Sequence, residues 1–137
     1  AVDHARRTGA AKGVTARFEV GGALDLGAER AYDTHIDSAL FHVFDDADRA
    51  RYVTSLQEAT RPGSVVHLLA LSDAGRGFGP QVAEATIRDA FRDGWVVEEL
   101  STTSYRGVVT DLHAEMLDLP LGSTVDEPAW LARIRRL

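Results

Sequence analysis

The fold turns on residues 32–73, YDTHIDSALFHVFDDADRARYVTSLQEATRPGSVVHLLALSD, from Tyr32 to Asp73. Tyr32 to Ser38 reads as a strand, although His35 interrupts its apolar pattern. After a sharp turn, Asp45 or Asp46 is placed to cap a helix, a carboxylate accepting a first-turn backbone N–H. Ala47, Ala50, Val53, Leu56 and Ala59 recur at roughly helical spacing and give that helix an apolar stripe. Pro62-Gly63 ends it, because proline cannot continue a helix and disfavours the helical state of Arg61. Ser64 to Leu71 is apolar on both faces, the pattern of a central strand covered by helices on each side. Strand, helix and strand in this order predict an α/β layered fold.

The flanks extend the alternation. Ala1 to Lys12 predicts a helix stopped by Gly13, and Val14 to Val20 (VTARFEV) alternates apolar and polar residues as a strand does. Gly21, Gly22 and the residues up to Arg30 read as loop. Beyond Asp73, a glycine loop precedes a short helix with Ile87 and Phe91 one turn apart, closed by Gly94. Trp95 to Leu100 reads as a strand, and Thr103 to Val109 or Asp111 to Leu117 supplies another. Pro128 suits the first turn of a final helix, Ala129 to Leu137, whose Arg133, Arg135 and Arg136 would complement the helix dipole. Neither an internal repeat nor a low-complexity linker is visible. At 137 residues the chain is expected to form one domain, residues 1–137.

Composition removes several classes of function. A formal charge of −6 without a basic stripe argues against a nucleic-acid partner. The absence of cysteine excludes disulfides, thiolate metal sites and cysteine nucleophiles, and fits a reducing compartment. Val65 to Leu71, the longest apolar run, is far too short to span a membrane. No charged leader precedes an apolar core, so a cytoplasmic location is expected.

Two groups of residues carry candidate chemistry. Asp73 to Gly79 (DAGRGFG) follows a strand and precedes a helix, with Glu98-Glu99 about twenty residues later. Read locally, this is a nucleotide or cofactor loop whose acid would take ribose hydroxyls. Read in context, it is an exposed loop with glycines for tight turns, since fewer than sixty residues remain for the strands a cofactor domain needs. Context favours the second reading. The five histidines form neither HxH nor HxxxH pairs, so no metal site is expected, although His35 and His67 fall on neighbouring predicted strands. His42, in the turn after the first strand, is either a base or acceptor contact, or a turn histidine bonded to backbone. Trp95 and Trp130 read as core or hairpin packing.

Six pieces in the right order carry a resemblance: Ala16 to Leu26, Tyr32 to Phe44, Arg61 to Asp73, Gly77 to Pro80, Ile87 to Trp95 and Ala129 to Arg135. Together they resemble the C-terminal part of class I S-adenosylmethionine-dependent methyltransferases, near the small bacterial, thiopurine-methyltransferase-like group. The resemblance implies a partial Rossmann-like sheet: parallel strands with helices on both faces and a closing antiparallel hairpin. S-adenosylmethionine would be the cofactor and a small molecule the methyl acceptor. Gly22, Ala23 and Leu24 would lie by the adenine. Asp37, Ser38 and the residues to His42 would approach the methionine portion, with Ser72 to Pro80 facing the acceptor. It assigns no catalytic residue, because the methyl group is already activated and in-line positioning supplies much of the rate.

Departures from the pattern matter as much. The family's first two strands, glycine loop and ribose-binding acid have no counterpart here. Gly22 replaces the usual adenine-contacting Asp, His35 an apolar strand residue, Ser64 the second glycine of "PGG", and Ala83 a helix-capping Ser. The expectation is therefore a truncated methyltransferase, impaired in methyl transfer. The alternative is a non-catalytic α/β module that pairs with a partner or a second copy through an exposed sheet edge.

Overall fold

The computed structural model describes residues 2–28 and 32–137. Its elements run α1 (Val2–Ala11), β1 (Tyr32–Ser38), a 3-10 turn (Phe41–Val43), α2 (Asp46–Ala59), β2 (Thr60–Leu71), α3 (Glu84–Ala90), β3 (Trp95–Val108), α4 (Asp111–Leu117) and β4 (Thr124–Arg136). One sheet holds the four strands in the order β1-β2-β4-β3. β1 and β2 are parallel, while β4 is antiparallel to both β2 and β3. It follows that β1, β2 and β3 share a direction and β4 alone is reversed. This is the α/β sheet with a closing antiparallel hairpin that the resemblance implies.

The decisive stretch folds much as it reads. β1 has the expected bounds, and Asp45 caps α2 by accepting from the Asp48 N–H at 2.8 Å. α2 ends at Ala59, however, ahead of Pro62-Gly63. That pair lies inside β2, where the register with β1 jumps from Tyr32↔Thr60 to Thr34↔Val65. Gly63 takes φ +89°, open to glycine at little cost, and Ser64 closes the irregularity. Its hydroxyl donates to the Tyr32 carbonyl at 2.7 Å and accepts from the Arg61 N–H at 3.2 Å. The helix breaker makes a bulge.

The core forms on one sheet face, so Ser64 to Leu71, expected to be covered by helices on each side, is covered on one side and leaves His67 exposed on the other. Tyr52, Val53 and Leu56 of α2, Ile87 and Phe91 beside α3, and Phe41 of the turn pack on Val66, Leu68, Ala70, Ala132 and Ile134. Phe41 stacks on Phe91 at 5.9 Å, and Trp95 meets Phe91 edge-on at 5.5 Å. Trp95 is buried and Trp130 packs against this cluster, both as expected. On the opposite face Val65 and Leu69 are half-buried, His67 is exposed, and Ile36 is 75% exposed. There Glu98 receives Arg133 and Arg135, and the Arg135 hydrogen bond holds its carboxyl below the ordinary value.

Four expectations are corrected. Val14 to Val20 forms no strand: alternation permits a strand but needs a neighbour to bond it. Trp95 to Val108 is one continuous strand where two were expected, and Asp111 to Leu117 is a helix. Ala129 to Leu137 is not a helix; it lies almost wholly in β4, with Pro128 opposite Ser104. Leu131, Arg133 and Arg135 face one side and Ala132 and Ile134 the other, a period-two pattern that outweighs the proline signal. Arg133 and Arg135 consequently serve Glu98, and none of the three arginines caps a helix. Finally, His35 pairs with Val66 and Ile36 with His67, so the two histidines point to opposite faces. Residues 29–30 of the predicted loop, and Ala1 of the first helix, lie outside the described residues. Among the described residues, no helix is long and apolar enough to cross a membrane.

Candidate functional site

The carboxyl ends of β1 and β2 lie side by side, Ser38 opposite Leu69. In α/β sheets this is where ligands bind. The turn leaving β1 is built around Asp37, whose side chain is 3% exposed. Its Oδ1 accepts from the Leu40 and Phe41 N–H groups at 2.9 and 3.4 Å, and its Oδ2 from the Tyr52 hydroxyl at 2.9 Å. Burial, reinforced by the Asp37 charge and hydrogen bond, pushes the Tyr52 phenol far above its ordinary pKa. The turn bends through Ala39 at φ +68°, a left-handed conformation that costs a non-glycine residue about 1–2 kcal/mol. An N–H bond from Ala39 to the Leu69 carbonyl at 2.9 Å holds it there.

His42 follows in the 3-10 turn and is buried. Its Nδ1 accepts the Leu71 N–H at 3.1 Å and so ties the turn to the end of β2. Burial lowers its pKa, against the opposing charge of Asp37. A neutral ring whose lone pair is committed to backbone is a brace. Of the two sequence readings of His42, the backbone-bonded turn histidine describes this geometry.

Beside the turn a cleft of ≈ 1110 Å³ opens between residues 19–28 and the inner side of β1. Gly22 and Ala23 line it, as do Leu26, His35, Leu40 and Tyr52. Nothing lies within 4 Å of a Cβ built on Gly22, so a ligand can approach the backbone there. The Leu26 N–H donates to Ser55 Oγ at 2.7 Å and fixes this wall to α2. Burial also lowers the pKa of His35, with Asp37 opposing. The six expected cofactor residues thus separate: Gly22 and Ala23 line the cleft, Leu24 packs against the core, and Asp37, Ser38 and His42 form the turn. Leu40 falls in the span from Ser38 to His42 that the resemblance placed by the methionine portion, whereas Leu26 and Tyr52 were not singled out in the sequence. Their only signal was apolarity, which core residues share.

The glycine loop has a different use. Glu127 of β4 is 1% exposed and accepts from the Arg76 N–H at 3.1 Å and Arg76 Nε at 2.9 Å. A Cβ on Gly75 would stand 2.5 Å from Gln81 Nε2 and 3.0 Å from Glu127 Oε2. Glycine is needed here for the loop to reach Glu127, while Gly77 turns at φ +89°. Glu98, one of the two acids of the cofactor fingerprint, is engaged by Arg133 and Arg135. The glycines therefore clamp the loop to the β3–β4 hairpin, in keeping with the contextual reading. That hairpin runs past β2: Ser104↔Pro128 to Val108↔Thr124 continue beyond Leu71↔Ala129, an overhang of about 17 Å over the site end of the sheet. Among the described residues, no three His, Asp or Glu side chains are grouped to hold a metal ion.

No protein-family model matches the chain. Among solved structures it is similar to a protein described under the conversion of a disulfide bond into a thioacetal group during echinomycin biosynthesis. The TM-score is 0.84 at 33% identity, covering 99% of this chain and 63% of that one. A methyltransferase dependent on S-adenosylmethionine from Methanosarcina mazei matches at TM-score 0.74 and 12% identity, over 100% of this chain and 77% of that one. The Burkholderia thailandensis 1,6-didemethyltoxoflavin-N1-methyltransferase, solved with 1,6-didemethyltoxoflavin and S-adenosylhomocysteine, matches at TM-score 0.62 and 14% identity, over 96% and 55%. This chain spans less than two thirds of the length of its 33%-identical neighbour, and its fold is that of class I S-adenosylmethionine-dependent methyltransferases.

Proposed function

We propose that this chain provides part of a site for methyl transfer from S-adenosylmethionine to a small-molecule acceptor, in an enzyme close to the thiopurine-methyltransferase-like group. The observation that carries the reading is the sheet, with β4 alone reversed, superposing over 99% of the chain on a 33%-identical neighbour. The toxoflavin enzyme, with its small acceptor and S-adenosylhomocysteine, supports the acceptor class.

The residues present fit one side of the cofactor. Gly22 leaves the backbone open, Ala23 and Leu26 give an adenine apolar contact, and Ser38 to Leu40 stand at the strand end for the methionine portion. Bound there, S-adenosylmethionine supplies an electrophilic methyl group. The chain's own task is positioning: Asp37 and His42 spend their polar atoms on holding the turn, so neither is offered as a base. The loop at Ser72 to Pro80 stands on the acceptor side. With one wall of the cofactor site supplied, the chain by itself is impaired.

Titrating S-adenosylhomocysteine into the chain and following amide NMR signals tests this. Weak, saturable shifts at residues 22–26 and 38–42 are expected. Shifts elsewhere would sink the site assignment, and micromolar affinity would sink the impairment. A second reading, association through the sheet, is favoured by the exposed Ile36 and by β1 standing at the sheet edge. Sedimentation showing a concentration-independent monomer would remove it.

A further inference from the structure

Phe78, at the tip of the glycine loop, lies between two surfaces. On one side is Gly107 of β3, where a Cβ would come within 2.8 Å of the Phe78 ring. On the other is the His113 imidazole, stacked at 3.9 Å and nearly parallel at 13°. His113 Nε2 donates to the Phe78 carbonyl at 3.0 Å, so in the neutral ring Nδ1 takes the Thr110 hydroxyl proton at 2.9 Å. A phenyl ring seated against the Gly107 backbone and stacked face to face on a flat heteroaromatic ring is a stacking slot. Imidazole fills it.

The element that delivers His113 is lightly held. α4 has no buried residue, and Thr110 at its N-cap makes no side-chain capping bond, its hydroxyl being turned to His113. Leu112 and Met116 are exposed on its outer side. The helix ends at Asp118 in a left-handed conformation and returns through Gly122 at φ +75°. Two bonds across the neck, Val109 N–H to the Ser123 carbonyl and Gly122 N–H to the Val109 carbonyl, both at 2.9 Å, leave β3 and β4 joined if α4 swings. Phe78 is also close to the proposed methyl-transfer site: a Cβ on its neighbour Gly79 would sit 3.3 Å from Leu71, whose N–H is bonded to His42.

We propose that the Phe78 face covered by His113 is a platform for a flat aromatic ring of the methyl acceptor, and that α4 is the lid that withdraws His113 to admit it. The ring replaces the imidazole one for one: same stack, same floor at Gly107, with the Phe78 carbonyl released as an acceptor for a donor on the incoming molecule. That the ring belongs to a methyl acceptor rests on the methyl-transfer reading; the platform stands on the stack itself.

The test is an amide NMR titration of the chain with quinoline, a flat ring, and with cyclohexanol, an apolar ring that is not flat. Quinoline is expected to shift residues 76–79 and 110–117 saturably, and cyclohexanol is not. Phe78→Ala should weaken quinoline binding about tenfold, the loss of one ring-on-ring stack. His113→Ala should tighten it several-fold, because the competitor for the platform is gone. The opposite signs separate a platform from a merely structural latch, for which both variants would weaken binding. Phe78→Leu, which keeps an apolar side chain in the slot, serves if the alanine variant unfolds. Absence of quinoline shifts at these residues, equal response to cyclohexanol, or a His113→Ala variant that binds no better overturns the proposal. S-adenosylhomocysteine titrated into the same samples reports on the cleft alone, so failure of the methyl-transfer reading is seen independently.

Discussion

Asp37 and His42 act on the candidate site through the backbone. One carboxylate satisfies two turn amides and a buried phenol, and one imidazole lone pair satisfies the last amide of β2. Protonating His42 would convert that acceptor into a donor facing an N–H. Its folded pKa lies below the ordinary histidine value through burial, so the unfolded chain takes up the proton first as pH falls. The stabilisation is complete above about pH 6.5 and is lost on acidification from there down through the folded pKa. Urea unfolding should show a midpoint that drops between neutral and mildly acidic pH. His42→Asn keeps an acceptor without titrating and should flatten that drop; an unchanged slope would place the effect elsewhere, the half-buried His35 being the other candidate. Ala39 is the second residue-scale feature. Ala39→Gly should stabilise the chain by about 0.5–1 kcal/mol, read as a higher thermal midpoint, because glycine accepts φ +68° without strain.

Among the elements, α2 and β1 keep to their local signals, and α4 and β4 do not. The apolar stripe and Asp45 cap of α2 are local facts, and α2 appears where they put it. α3 begins at Ala83 without any side-chain cap, in an extended conformation ready for one. Ala83→Ser should add about 1 kcal/mol, measurable as a shift in urea midpoint without a change in slope. β4 is the contrary case. Its residues carry Pro128 and three arginines, which locally favour a helix start and a helix end. Pairing with β2 on one side and β3 on the other satisfies its backbone along nearly its whole length, and that outweighs the local preference. VTARFEV fails for the same reason in reverse: its pattern suits a strand, yet among the described residues it pairs with no strand of the sheet.

For the whole molecule, the two sheet faces behave differently. One holds the core; the other exposes Ile36 and Leu131 beside the Glu98 arginine pairs. Apolar surface of this kind is a contact site in waiting. If the face mediates association, Ile36→Lys should lower the self-association seen by sedimentation while leaving the unfolding free energy within about 0.5 kcal/mol of the parent, since the side chain is already exposed. Unchanged association would remove that face from the interface.

The sequence by itself determined the α/β class and the strand–turn–helix–strand unit from Tyr32 to Asp73. Each follows from periodicity, caps and breakers acting within a few residues. It did not determine what the side chains in that turn do. Asp37 and His42 look like ligand contacts in a string of letters, yet their partners are Leu40, Phe41, Tyr52 and Leu71, up to 29 positions away. The glycines of Asp73 to Gly79 look like a nucleotide cradle until Glu127, 51 residues beyond Arg76, arrives beneath them. Tertiary structure decided these matters because a hydrogen-bond donor or a close approach is spent on whatever partner the sheet brings near. Sequence distance carries no record of that partner.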